Sequence, residues 1–451
     1  MSRKNMVVVI RIQLGGAILA LLAMLTATSA NAVPSFTRQM GGMQCAACHT
    51  VFPELTPFGR QFKLRGFSMS TPKPDNASFF DKIPVSALLQ ISRTSTKNTG
   101  TTGATSADFP RDGGIIVQAA GLYYAGKITD KSGALVQYSY DGIERRWGME
   151  MADIRYAGTA TLGKELVYGI TLNNNPTVSD IYNSTPVWSF PNVGSATVMP
   201  AASTMLDMTL ASQVGGVGVY GLWDNLLYGE AALYRTVNSG ALRLLGLNVP
   251  TGNIVKGYAP YWRVALQHET GAHSFSVGTY GMISKIYADN QDFSLDTNRF
   301  NDIGLDGQYQ FIDGDHTFST HTNWIREKQE WNASFPMGMA SNASTVLRTF
   351  RADVRYNYQR QWGGGLQYFQ TRGDTDALRY STGEAVMGSA NGSPNSKGWV
   401  AELNFLPRQD IKLALRYTAY TQFNGAGNNY DGFGRNASDN NSIYLLSWLL
   451  F

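Results

Sequence analysis

Cys45-Ala46-Ala47-Cys48-His49 brings two thiols and an imidazole together within five residues. This C-x-x-C-H spacing is that of covalent haem attachment. The two thiols add to the vinyl groups of one haem, and the adjacent histidine ligates the iron from one face. The chain has 451 residues and only these two cysteines. Other uses of two thiols fit less well. A zinc finger needs a second ligand pair at finger-like spacing, and none follows. A dithiol redox pair belongs in a thioredoxin-like βαβ context, which the sequence does not show. A disulfide between cysteines three apart would be strained. The pattern predicts one covalent haem c on Cys45 and Cys48, with His49 as an axial metal ligand. The best local candidate for the opposite face is the thioether of Met69, since Met/His ligation suits electron transfer. Met40 and Met43 lie closer to the motif, and His268, His273, His316 and His321 are further imidazoles that can be weighed for the role.

The surrounding sequence says where such a haem would work. Arg3, Lys4 and Arg11 form a basic start, residues 14–25 are apolar and small, and Ala30-Asn31-Ala32 is a small-residue cleavage site. Residues 1–32 therefore read as an export signal, with the mature chain beginning at Val33. The apolar run is shorter than the roughly 20 residues of a transmembrane helix. Past this leader no second long apolar run occurs. Charged residues make up only 16% of the chain, below the roughly 25% of a soluble domain. Aromatic residues reach 12%, and glycine numbers 47. A net charge of +4 spread over this length gives no footprint for nucleic acid. This composition is that of an outer-membrane barrel or a secreted β protein.

Alternation favours the barrel. Ile303, Leu305, Tyr309 and Phe311 share one face of an extended segment, and Asp306, Gln308 and Gln310 share the other. Phe350, Ala352, Val354, Tyr356 and Tyr358 likewise oppose Arg351, Asp353, Arg355 and Asn357. Trp262, Val264 and Leu266 oppose Arg263 and Gln267. Sixteen such segments can be drawn between residues 85 and 451. Their lengths match the 9–11 residues that cross a bilayer at a tilt. Short connections, such as 224–225, 270–272 and 313–315, alternate with long ones, notably 174–213, 237–257, 374–396 and 422–440. An even strand count with sorted loops predicts a mainly β fold, a 16-stranded antiparallel transmembrane barrel in the bacterial outer membrane. The strand 442–451 ends on Phe451, which resembles a barrel-assembly signal. The expected organisation is a signal peptide at 1–32, a short α-helical monohaem cytochrome c domain at 33–83, and a porin-like barrel at 84–451. A haem piece of 51 residues is too small to wrap its cofactor alone. The barrel lumen or its periplasmic mouth is the expected place for it. Leu55, Phe58, Phe62 and Leu64 would line a short helix that Gly66 stops. The sequence offers no Ser-His-Asp arrangement, phosphate loop or paired carboxylates, so no catalytic residue is assigned.

Val33-Pro34-Ser35-Phe36-Thr37-Arg38-Gln39, Cys45-Ala46-Ala47-Cys48-His49, Pro53-Glu54-Leu55, Phe58-Gly59-Arg60-Gln61-Phe62-Lys63 and Gly66-Phe67 closely resemble the fused monohaem cytochrome–porins of iron-oxidising bacteria. The resemblance is specific over residues 33–67 and architectural over the barrel. It implies oxidation of extracellular Fe(II), an iron:cytochrome c oxidoreductase-like electron transfer. Electrons would pass one at a time through a single c-type haem to a periplasmic c-type cytochrome or cupredoxin. It also implies that Cys45 and Cys48 bind the haem and that His49 is its proximal ligand. Arg38 and Arg60 stand at matching positions, where pairing with haem propionates is our hypothesis. Two other readings keep the same chain: an electron conduit with another donor or acceptor, and a passive porin with a haem-containing plug.

The motif makes a direct chemical prediction. Haem is retained on the chain after acidified-acetone extraction, and the intact mass exceeds that of the polypeptide by one haem. A double Cys45→Ser, Cys48→Ser chain loses both signals.

Overall fold

A computed structural model describes residues 34–451 apart from 74–78, 101, 103, 105–107, 110, 144, 177, 185–197, 211–212 and 245–251. The expected leader 1–32, the start at Val33 and parts of the 174–213 and 237–257 loops lie outside the described residues. Sixteen strands follow one another: β1 (Val85–Thr96), β2 (Ile115–Thr129), β3 (Ser132–Asp141), β4 (Arg146–Leu162), β5 (Lys164–Asn173), β6 (Val214–Trp223), β7 (Leu227–Thr236), β8 (Ala259–Thr270), β9 (His273–Tyr287), β10 (Thr297–Asp313), β11 (His316–Glu330), β12 (Ser344–Tyr358), β13 (Trp362–Gly373), β14 (Ser396–Arg408), β15 (Ile411–Gln422) and β16 (Ser442–Leu450). Each pairs antiparallel with its sequence neighbours, and β1 pairs with β16 from Leu88↔Leu450 to Thr96↔Ser442, which closes the sheet into a barrel.

The alternation read from sequence is the alternation of inside and outside. On β10, Asp302, Asp306, Gln308 and Gln310 are buried in the lumen, whereas Ile303 and Leu305 are exposed on the outer surface. Leu172, Val219, Leu233, Val264, Val277, Val354, Leu403, Leu415 and Leu445 continue that exposed apolar band around the barrel. A water-facing sheet would turn these residues inward, whereas lipid requires them outside. Closure leaves no strand edge unpaired in hydrocarbon, the condition for spanning with β structure. The protein is thus a membrane-spanning barrel of the bacterial outer-membrane kind.

The connections sort by rim. One rim carries Asp130–Lys131, Gly163, 224–226, 271–272, 314–315, 359–361 and 409–410. The other carries the long loops 97–114, 174–213, 237–258, 288–296, 331–343, 374–395 and 423–441, with only 142–145 short among them. Short turns face the periplasm and long loops the exterior. Among the described residues ahead of β1 stand four short helices, α1 (Pro34–Gln39), α2 (Cys45–Cys48), α3 (Pro57–Leu64) and α4 (Phe79–Lys82).

Leu305 sits at the middle of β10 on the lipid face. Leu305→Arg is expected to destabilise the barrel by about 2–4 kcal/mol. A lumen exchange of the same strand, Gln308→Asn, should cost less. Urea-unfolding midpoints of the detergent-refolded proteins check the difference.

Candidate haem site in the periplasmic mouth

The motif forms one tight unit. Cys45 and Cys48 lie on the single turn of α2. After His49 the chain doubles back, with the Glu54 amide donating to the Val51 carbonyl at 2.7 Å and the Thr50 amide to the Glu54 carbonyl at 3.2 Å. The backbones of His49 and Leu55 form an antiparallel bridge. Thr56 then ties the turn to the next helix. Its hydroxyl donates to the Ala47 carbonyl at 2.5 Å and accepts from the Gly59 amide at 3.1 Å, capping α3 with Pro57 in its first turn. Gly59 is required where α3 meets α2, because a Cβ there would lie 2.3 Å from the Cys48 carbonyl oxygen. The helix ends before Gly66, whose φ of +70° suits glycine. Phe62 and Leu64 are buried as expected, Phe58 is half-buried, and Leu55 lies before the helix in the bridge.

The His49 ring is held in one tautomer. Its Nδ1 lies 3.3 Å from the Glu54 carbonyl oxygen. A carbonyl only accepts, so Nδ1 carries the proton and Nε2 keeps its lone pair for a metal. Burial lowers its pKa to about 4, against the opposing pull of the Glu54 and Pro53 carbonyls, so the ring is neutral at pH 7. Burial, and then Cys45, push the Cys48 thiol up to about 11. No disulfide joins the two cysteines. Phe52 meets the His49 ring edge-on at 5.4 Å and Trp448 at 6.0 Å, and Cys45 packs in an apolar cluster with Leu88, Tyr123 and Leu450. Two thiols on one turn beside an oriented, neutral imidazole fit a c-type haem.

The barrel wall fixes this unit through polar side chains. Glu54 is fully buried and receives Gln310 Nε2 at 2.9 Å and Ser319 Oγ at 3.2 Å. Arg355 Nη1 stands 3.0 Å and His321 Nε2 3.8 Å from its carboxylate. Burial opposes the Glu54 charge, but Arg355 first and then His321 outweigh it and hold its pKa below the usual value. Arg60 points into the wall as well, donating to Gln310 at 2.9 Å and Ser274 at 2.5 Å and pairing with Glu269 at 3.3 Å. Its outer nitrogens thus bond the barrel wall. Arg38 donates to the Val85 carbonyl at 2.6 Å. Met69 is anchored by its own carbonyl, which accepts from Gln39 at 2.7 Å.

Further bonds run to the periplasmic rim. Cys45 N donates to Gln409, Gln61 to Asn225, Arg360 to Gln44, and Lys127 N to Gln39, while Arg65 pairs with Glu165 at 3.0 Å. Lys63 reaches the carbonyls of Val178 and Asp180 at 2.6 and 2.9 Å. Those belong to the 174–213 loop, which folds inward. Ser184 bonds Asp306, the Met205 and Leu206 amides bond Glu327 and Asp302, and Asp207 pairs with Arg351 at 2.6 Å. Of the barrel histidines only His321 faces the lumen. His268, His273 and His316 are exposed outside, the last two bonded to Tyr309 and Tyr356. Sequence reasoning missed Glu54 and Gln310 as anchors, although Glu54 stood inside the family-like stretch.

No family profile matches the chain, and no curated protein does. Among solved structures it is similar to OmpF of Salmonella typhi in complex with daunomycin, at 13% identity and a TM-score of 0.46, covering 81% of this chain and 97% of that one. It is also similar to outer-membrane-expressed OmpT of Vibrio cholerae, at 8% identity and 0.44, covering 81% and 97%. An anion-selective porin from Comamonas acidovorans matches at 11% identity and 0.43, covering 81% and 98%. At such scores the functional reading rests on this chain's own residues.

Lys63 gives the docked segment a pH signature. Burial, and then Arg155, lower its pKa to about 8, with Asp153 and Asp180 opposing. An unfolded lysine titrates near 10.4. Between the two values the unfolded chain binds more protons, so stability rises with pH across that window. Denaturation midpoints should climb from pH 8 to about 10.4, and Lys63→Met should lack its share of the climb.

Proposed function

We propose that this protein oxidises extracellular Fe(II) and passes single electrons through one c-type haem to a periplasmic c-type cytochrome or cupredoxin. The observation that carries the reading is His49. Its ring is neutral and tautomer-fixed beside Cys45 and Cys48, and it is clamped in the lumen of an outer-membrane barrel. The haem, when bound, supplies a reversible one-electron couple.

The chain's own residues supply attachment, orientation and a route. Cys45 and Cys48 would hold the porphyrin covalently, His49 Nε2 would ligate the iron, and Met69 would offer it a thioether. The Glu54 carbonyl raises the basicity of His49 through its Nδ1–H. The Glu54 side chain fixes that carbonyl to β11 and β12 through Ser319, His321 and Arg355. The bilayer is an insulator, and a redox group in the mouth shortens the gap between an outer donor and an inner acceptor. Fe(II) loses one electron and leaves as Fe(III) on the outer side, and the periplasmic carrier is reduced by that electron. Lumen carboxylates and arginines, Asp306 with Arg263 and Asp207 with Arg351, place fixed charges between the exterior and the segment.

The test uses holoprotein purified from outer membranes in detergent without oxygen. Oxidised protein is mixed with Fe(II) in a stopped-flow instrument while the reduced c-haem bands are followed, with Cys48→Ala as control. Rapid reduction in the wild type alone is expected. A haem that dithionite reduces and Fe(II) does not would leave a conduit with another donor, and an open conducting channel without redox response would leave a porin with a plug.

A further inference from the structure

The outer face of the barrel is not uniform at its exterior end. On β9–β14 the outward face near the long loops carries Lys285, Arg299, Arg326 and Lys328, Arg348, Arg372 and Lys397. The strand register makes them neighbours. Lys285 lies opposite Arg299, Arg326 opposite Arg348, and Arg348 opposite Arg372. Lys397 lies opposite Gln370, one outward step from Arg372. Like charges set directly opposite one another destabilise a sheet, so such a row needs an anion from elsewhere.

The chain does not supply enough of it. Glu330 pairs with Arg299 at 3.5 Å and with Lys328 at 2.6 Å. Lys285, Arg326, Arg348, Arg372 and Lys397 form no ion pair among the described residues. Beneath the cations, on the same face, runs a row of rings. Phe350 and Tyr368 lie 6.3 Å apart, and Tyr368 and Trp399 lie 5.0 Å apart. Trp324 stands opposite Phe350. Amphipathic rings mark the boundary between headgroups and acyl chains. The cations therefore sit at headgroup height in the outer leaflet. On β5–β8 the outward positions near the long loops are mostly apolar, Leu172, Val217, Leu233 and Trp262, with Arg235 of β7 set against the Tyr258 ring at 5.5 Å.

We infer that Lys285, Arg299, Arg326, Lys328, Arg348, Arg372 and Lys397 form a binding belt for phosphorylated glycolipid of the outer leaflet. Guanidinium forks match phosphate oxygens bidentately, and three arginines in register offer adjacent forks. The acyl chains would lie along the aromatic and aliphatic band below. The choice of occupant follows from charge complementarity at headgroup height, and it stands independently of the Fe(II) reading.

The test is binding to full-length holoprotein in neutral detergent, followed by native mass spectrometry and thermal midpoint. Diphosphoryl lipid A, monophosphoryl lipid A, phosphatidylethanolamine and inorganic phosphate serve as probes. Wild type is expected to bind in the order diphosphoryl, monophosphoryl, phosphatidylethanolamine, with affinity falling as salt rises. The triple variant Arg326→Gln, Arg348→Gln, Arg372→Gln should bind diphosphoryl lipid A at least tenfold more weakly, whereas Arg→Lys at the same sites should fall between the two, keeping the charge but not the fork. Arg93→Gln, on β1 and outside the belt, should bind as wild type. Equal binding by the glutamine triple variant overturns the proposal, as does a wild-type preference for phosphatidylethanolamine. An equal thermal shift with millimolar inorganic phosphate also overturns it, leaving a free-anion site. If the glutamine triple variant does not fold, the phosphate series and salt dependence of the wild type decide.

Discussion

Everything else in this molecule depends on the seam between β1 and β16. The Ala87 amide donates to the Phe451 carbonyl at 2.6 Å and the Phe451 amide to the Ala87 carbonyl at 3.0 Å, and the register then runs unbroken to Thr96↔Ser442. In hydrocarbon an unpaired edge costs several kcal/mol for each polar group left bare. Closure removes that cost and divides every strand into a lipid face and a lumen face. The polar face is thus forced inward in quantity. A lumen of this size lined by Asp306, Gln310, Arg263, Arg355 and Glu402 must be filled with water or with protein that satisfies those groups. The N-terminal segment 34–67 and the inward-folded described part of the 174–213 loop do the second.

That explains why a piece too small to stand alone holds a defined shape. Three of its charges are buried, and each is answered from the wall: Glu54 by Arg355, Arg60 by Glu269, Lys63 by Asp153 at 3.7 Å. Pairs of this kind contribute modestly to net stability, since desolvation offsets the attraction. What they supply is register. A displaced segment would strand several buried charges at once, and leaving one unpaired costs about 3–5 kcal/mol.

The legible and illegible parts of the sequence divide along the same line. Cysteine spacing is local, and so are period-2 alternation and the sorting of turns by length. Ile303 against Asp306, or Val354 against Arg355, announce their faces without any partner being known. The anchors are not local. Glu54 and Arg355 are 301 positions apart, and nothing near either marks the other. Arg60 and Arg38 look alike beside a haem motif, yet one ends in the wall and the other on a backbone carbonyl. Four barrel histidines looked equivalent as ligands. Strand parity settles three of them, since His268, His273 and His316 share the outward face, but the parity had to be counted from exact strand bounds.

The rim bonds of the haem segment have a mechanical meaning. A thin-walled cylinder yields most easily by flattening into an ellipse, because that bends the wall without stretching it. Here Gln39, Gln44, Cys45, Arg60, Gln61 and Arg65 reach six of the seven short turns or the residues beside them. They act as spokes from a central hub. Ovalising the mouth would lengthen some spokes and crush others, so the rim is braced round. The hub in turn is held on centre at fixed height and tilt. The place of Cys45, Cys48 and His49 relative to the rim is then set by the wheel as a whole and by no single bond.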